Sequence, residues 1–296
     1  MKFNIVQIIQ NAVVSHLIHD PIRLLMYTLE DMGHDVVVNK DTFMKDRVNI
    51  IVIGTRLSEA SIDALIKSKV PYVIYQTEVF SDKGLNYQPT SNIHQTLEWQ
   101  RIYLKLLSGA SMIWECFDFN QQYLQNIGIE SHLMYHGYHR FLEGRAKKAE
   151  LDIDVVFFGS LTPYRAKVLK SIKTAGISMM LLQHDGPLFR DEVLRRAKIN
   201  LSIRANDDTM SHLPHFRVLT GLYHNTVTVS EQAKGQDWMV GLVDLVPPQE
   251  IGNRLQEMLR SKEYIPLAQQ YRRAFLERPM EEYMTDLVAE LQRRIS

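Results

Sequence analysis

Two groups of residues in this sequence have side chains suited to chemistry. The first could move protons. His16 and His19 follow an apolar run near the N-terminus, and Glu78 closes another such run in "YVIYQTE". All three are titratable groups gathered just after such runs, where an open sheet collects its polar residues. The second group could hold an anion. "GSLTPYR" brings Gly159, Ser160 and Arg165 to the end of an apolar run. A glycine there lets a ligand approach the backbone, a following helix offers N–H groups, and an arginine can grip phosphate with two nitrogens. Arg204 ends a later run, "INLSIRA". "HFRVLTGLYHNTVTVSE" adds His215, Arg217 and Glu231, with Arg217 suited to a phosphate and Glu231 to the hydroxyls of a sugar. A plainer reading stands beside each: a solvated arginine after a tight turn, or an amphipathic helix leading into a buried strand.

Other chemistries lack their residues. "DID", Asp152 to Asp154, has the Asp-x-Asp spacing of divalent-cation sites, but it lies at the start of a strand, away from the other candidates. There is no HExxH pair, Walker loop, GxSxG elbow or GxGxxG fingerprint, so neither a metal nor a dinucleotide cofactor is expected. Lys plus Arg equals Asp plus Glu, 34 against 34, which speaks against a chain whose main task is gripping nucleic acid. The one cysteine, Cys116, rules out an internal disulfide and suits a reducing cytoplasm. No run approaches the roughly 20 apolar residues of a membrane span, and no cleavable signal opens the chain.

The elements that must position these residues alternate. Apolar runs at Phe3–Ile9, Val48–Gly54 and "VPYVIYQTE" read as strands, separated by single amphipathic helices such as "DPIRLLMYTLEDMGH", with Asp20 as N-cap and Gly33 as stop. Ser58 is placed to cap the helix "SEASIDALIKS", and Ser81 to Asn92 reads as a loop. The charged run His139–Asp152 breaks the pattern as a linker, after which it restarts with "IDVVFFGS" and ends in three helical pieces. Continuous apolar strands with single intervening helices imply parallel sheets covered on both faces. The chain of 296 residues accommodates two such α/β domains. Open sheets bind ligands at the carboxyl ends of their strands, so the expected site lies between the domains.

"DIDVVFFGSLTPYRAKVLKSIKTAGI" resembles the opening of the second domain of GT-B glycosyltransferases, in particular bacterial glycosyltransferase-like proteins related to spore-maturation glycosyltransferases. Arg217, Leu222, Val229 and Glu231 match a later helix-and-strand pattern of that group, and "YTLEDMGHDVVV", "YVIYQTEV" and "YLQNIGIESHLMYHGY" are similar to its first domain. The helix glutamate of the pattern has no counterpart; Pro214 or Thr220 stands there.

The resemblance implies two Rossmann-like domains facing across a cleft. An acceptor-side domain would cover residues 1–143 and a nucleotide-sugar domain residues 151–279. A terminal helix over 280–296 would cross back to the first domain on Met284, Leu287, Val288 and Leu291. It implies a cytoplasmic, hexosyltransferase-like enzyme, working without a metal, with a nucleotide sugar as co-substrate and an unidentified acceptor. Gly159, Ser160 and Arg165 would lie near the diphosphate, Arg217 would be a charge partner, and Glu231 would lie near sugar or ribose. Two other functions fit the same fold: an inactive binding subunit or nucleotide-sugar sensor, and a transferase acting on modified bases in DNA.

Overall fold

The computed structural model describes residues 1–8, 18–144, 150–174, 176–183, 185–206, 211–235 and 237–296. They form two compact units, Met1–Gly137 with Met280–Ser296, and Tyr138–Pro279. Each has its own parallel sheet.

In the first unit the sheet order is β2-β1-β3-β4-β5-β6. The strands are β1 (Lys2–Gln7), β2 (Asp35–Lys40), β3 (Val48–Val52), β4 (Tyr72–Gln76), β5 (Met112–Glu115) and β6 (His132–Leu133). Every residue of β3, β4 and β5 is buried, as apolar runs on both faces require. The intervening helices are α1 (His19–Asp31), α2 (Glu59–Ser68), α3 (Ile93–Ser108) and α4 (Asp118–Asn126). Ser58 caps α2 by accepting the Ser61 N–H at 3.2 Å. Asp20 does not cap α1. The N-cap is Ile18 and makes no side-chain cap bond, so Asp20 lies inside the first turn, where its charge suits the helix dipole instead.

In the second unit the order is β11-β10-β9-β7-β8. Its strands are β7 (Ile153–Phe158), β8 (Met179–Leu182), β9 (Ala197–Ser202), β10 (Val227–Glu231) and β11 (Asp244–Val246). They alternate with α5 (Pro163–Thr174), α6 (Pro187–Arg196), α7 (His215–Tyr223), α8 (Ile251–Ser261) and α9 (Tyr264–Leu276). Residues from Tyr138 onward belong to this unit: the Gly144 N–H reaches the Tyr223 carbonyl at 2.9 Å, and Glu143 pairs with Arg272 at 2.7 Å. The start of the charged run read as a linker is therefore anchored.

The last helix, α10 (Met280–Ile295), belongs to the first unit and packs against α1. Met284, Leu287, Val288 and Leu291 are all buried, joined by Met280. Among the described residues no helix is long and apolar enough to cross a membrane.

Each sheet has one place where the strand order reverses. In the first it lies between β1 and β3, in the second between β7 and β9. There the connecting helices leave in opposite directions and the strand ends open a crevice.

Candidate functional site

In the second unit the crevice is basic. β7 leaves the sheet at Gly159, with φ +137°. A Cβ at this position would stand 2.4 Å from Arg217 Nη2, so only glycine leaves room for the guanidinium. Thr162 starts α5: its hydroxyl accepts the Arg165 N–H at 3.2 Å and donates to the Ala205 carbonyl at 2.6 Å. Arg165 turns back over Phe157, 5.7 Å from the ring centre. Its Nε donates to the Ile203 and Arg204 carbonyls at 3.0 and 3.1 Å, and its Nη1 to the Ser160 carbonyl at 2.9 Å. Arg217 comes down from α7, held by Asn200 Nδ2 on its own carbonyl at 2.9 Å. Its Nη1 donates to the Ile203 carbonyl at 3.0 Å and its guanidinium lies 5.1 Å from the Phe157 ring.

Both guanidiniums are buried, at 7% and 8% exposure, and neither forms an ion pair with a carboxylate among the described residues. Arg217 Nε has no hydrogen-bond partner. Burial pushes the Arg165 pKa down to about 10, and burial together with the Arg165 charge lowers that of Arg217 well below its ordinary value. Two like charges held in a desolvated place with no carboxylate in contact are costly, by several kcal/mol per uncompensated ion in order of magnitude, and Glu231 offsets this only for Arg165 and from a distance. Such an arrangement is relieved by an anion.

Glu231, at the end of β10, is the acid nearby, and it is already taken. Its Oε2 pairs with Arg204 Nε at 3.1 Å and accepts the Tyr164 hydroxyl. Arg204 lies 5.1 Å from the Tyr164 ring centre. Glu231 Oε1 makes no hydrogen bond, and burial raises the pKa of this carboxyl against the pull of its partners. Glu231 thus pairs with Arg204 alone and acts on Arg165 only from a distance. His212 adds no charge: burial, then His215, Arg165 and Arg217, push its pKa down to about 3.

In the first unit two acids lie beside the reversal, at the ends of β4 and β5. Glu78 follows β4 and is half-buried. Its carboxylate accepts the Thr55 hydroxyl at 3.3 Å and the Asn86 side-chain amide. Burial raises its pKa, against those two donors and the Arg56 charge. Behind it Glu115, at the end of β5, is fully buried. Oε1 accepts the Phe117 N–H at 3.0 Å and Asn120 Nδ2 at 3.2 Å, while Oε2 is unpartnered. Burial drives the Glu115 pKa well above the usual carboxyl range. Glu78 thus stands half-buried in front of a fully buried second carboxyl, with burial raising the pKa of both.

The residues singled out by sequence do not all converge. His16 lies outside the described residues. His19 sits in the first turn of α1, and among the described residues its side chain bonds Asp20, at 3.2 Å, rather than Glu78. Ser160 is exposed and offers only its carbonyl, to Arg165. Arg204 is not a free cation for a ligand, since Glu231 neutralises it. His215 spends Nε2 on the Gly235 carbonyl at 2.7 Å and packs edge-on to Trp238, tying the start of α7 to the loop after β10. Gly159, Arg165, Arg217 and Glu231 do come together. The "DID" acids are occupied by Arg196 on Asp152 and by Lys198 on Asp154 at 2.6 Å.

Sequence reasoning missed Tyr164, His212, Thr55, Asn86 and Asn120. Tyr164 lies within the quoted "GSLTPYR", two residues after the cap Thr162, but its partner is 67 residues away. Asn86 had one local sign: an asparagine in a Gly-containing polar loop, the residue type that tolerates a positive φ, here +51°.

No family model matches the chain, and no curated protein matches it in sequence. Solved structures do match in shape. AviGT4, a glycosyltransferase involved in avilamycin A biosynthesis, superposes with a TM-score of 0.64 at 11% identity, covering 99% of this chain and 97% of that one. An alpha-glucosyltransferase bound to UDP and a 13-mer DNA gives 0.64 at 10% identity, covering 99% and 100%. T4 phage BGT with UDP and Mn2+ gives 0.58 at 14% identity, covering 98% and 99%. At such identities the likeness is one of fold, and the fold of this chain is that of the GT-B glycosyltransferases.

Proposed function

We propose that this protein is a glycosyltransferase that moves a sugar from a nucleotide-sugar donor to an acceptor hydroxyl. The observation that carries the reading is the pair of buried guanidiniums, Arg165 and Arg217, converging without an acid partner on Gly159. The donor diphosphate binds there, beside the glycine, against Arg217 Nη2 and Arg165 Nη1, the guanidinium nitrogens that lie nearest to it. Glu231 takes ribose or sugar hydroxyls on Oε1. On the acceptor side Glu78 accepts the proton of the attacking hydroxyl. The hydroxyl oxygen bonds to the anomeric carbon as the bond from that carbon to the diphosphate oxygen breaks. The negative charge that grows on the leaving diphosphate is stabilised by the two arginines, preorganised and desolvated before the reaction starts. His19, with its ring given to Asp20, is left out of this step.

The kinship with the spore-maturation group rests on the sequence motifs alone. Metal-independence rests on the guanidiniums supplying the charge that a divalent ion would otherwise supply, and a comparison of turnover with Mn2+ and with EDTA tests it. The fold neighbour bound to DNA raises a second reading, a base in DNA as acceptor. The neutral charge balance weighs against it, and a steep salt dependence of duplex binding would revive it. The test of the main reading is calorimetry with UDP, GDP, ADP and pyrophosphate, followed by transfer assays over the matching nucleotide sugars. Absence of binding by all four anions would overturn it, whereas binding without turnover on any acceptor would point to a sensor or binding subunit.

A further inference from the structure

We infer that Asn86 is a positioning residue that aims the Glu78 carboxylate, as part of a cradle of three side-chain amides around residues 78–80. This rests on the proposed role of Glu78 as base. The chain leaves β4 here without regular structure, so its main-chain groups need partners from elsewhere. Gln76 supplies both ends for Glu78: Oε1 accepts its N–H at 3.3 Å and Nε2 donates to its carbonyl at 2.8 Å. Asn120, fully buried on α4, donates to the same carbonyl at 2.6 Å and accepts the Phe80 N–H at 3.1 Å. Asn86 accepts the Val79 N–H on Oδ1 at 2.8 Å, and its own N–H reaches the Val79 carbonyl at 2.8 Å. That leaves Asn86 Nδ2 for the Glu78 carboxylate itself.

Asn86 can serve backbone and carboxylate together because its backbone is left-handed, φ +51°, a conformation asparagine accepts more readily than most residues. The loop that carries it is pinned. Gly84 lies so close to α3 that a Cβ would stand 2.3 Å from the Thr96 carbonyl carbon, and the Thr96 hydroxyl donates to the Lys83 carbonyl at 2.6 Å. The other carboxylate oxygen is met from β3. Ile53 turns the chain in a left-handed conformation, φ +59°, which is rare for a β-branched residue, and Thr55 follows with its hydroxyl on Oε1 at 3.3 Å. Both oxygens of Glu78 are therefore held by neutral donors on elements fixed independently of any ligand, the arrangement a preorganised base requires.

The test is a side-chain titration of Glu78 in the full chain labelled with 13C-glutamate, with Glu78→Gln identifying its signal. Asn86→Gly keeps the left-handed backbone and loses the amide. Asn86→Asp keeps the acceptor for Val79 and sets a second carboxylate against the first. The expected result is an upward shift of the Glu78 midpoint in both, larger for the aspartate, because a donor to the charged form is lost and a like charge is added. Thr55→Val, which leaves the loop untouched, shifts it the same way by less. A midpoint unmoved in all three overturns the proposal, since a purely structural asparagine would change melting temperature but not this titration. The base reading fails separately, if Glu78→Gln retains turnover.

Discussion

The two units solve the same topological problem with opposite charge. Each opens a crevice where its strand order reverses. In the Tyr138–Pro279 unit the strand ends gather Arg165, Arg204 and Arg217 around one carboxylate, Glu231. In the other unit they gather Glu78 and Glu115 among uncharged amides and hydroxyls. The first is short of negative charge and suited to an anion that arrives. The second bonds its acids with neutral donors, leaves Arg56 as the one charge that pulls on Glu78, and burial raises the pKa values of both carboxyls. The shared architecture decides where a site opens, and a handful of side chains decides which half of a transfer reaction each site can serve.

The contrast can be broken most sharply at Glu78. Glu78→Gln should lower turnover by about 10²–10⁴-fold, the usual span of a general base, while leaving UDP affinity unchanged. Lost affinity with intact turnover would reverse the division of labour. Next in size is Arg217→Met, which should weaken pyrophosphate binding by about 1.5–3 kcal/mol, the scale of a charge-assisted hydrogen bond. The same variant should melt higher than the parent without ligand, because an uncompensated buried charge has been replaced by apolar volume. A variant that melts lower and binds normally would make Arg217 a structural clamp.

Glu115→Gln sharpens the acidic side. Burial raises this carboxyl in the folded state, so its favourable contribution is full at low pH and is lost as pH rises through the folded-state pKa. The glutamine variant does not titrate. It should match the parent near pH 4 and exceed it by about 1–3 kcal/mol at pH 8, the cost of burying an unsatisfied polar group, measured by denaturant unfolding at both values. Equal stability at pH 8 would mean that Glu115 has a compensating partner. The smallest effect belongs to Tyr164→Phe, which removes one bond that orients Glu231. It should cost about 0.5–1.5 kcal/mol of UDP affinity and none of pyrophosphate affinity, since the pyrophosphate lacks the ribose.

The elements were legible for a local reason. β3 and β4 are unbroken apolar runs, and residues 215–223 place Leu219 and Leu222 on one face after Pro214, so period and punctuation alone mark strand and helix. Asp20 misled because Asp before Pro is a common helix start, yet the chain was already helical at His19. Side-chain partners were another matter. Nothing in the spacing of Arg204, Tyr164 and Glu231 says that the acid pairs with one arginine and leaves two others with carbonyl partners but no ion pair among the described residues.

Local periodicity and composition were enough to dictate parallel sheets, the helices that cover them and the strand ends at which polar residues collect. Charge state and aim were settled only by packing, because they depend on contacts across tens of residues: Gly159 making room for Arg217, and Asn86 reaching back to Glu78. A one-dimensional pattern encodes which face of an element is buried. It does not encode which buried charges find a counterpart, and that difference separates the basic strand ends of one unit from the acidic ones of the other.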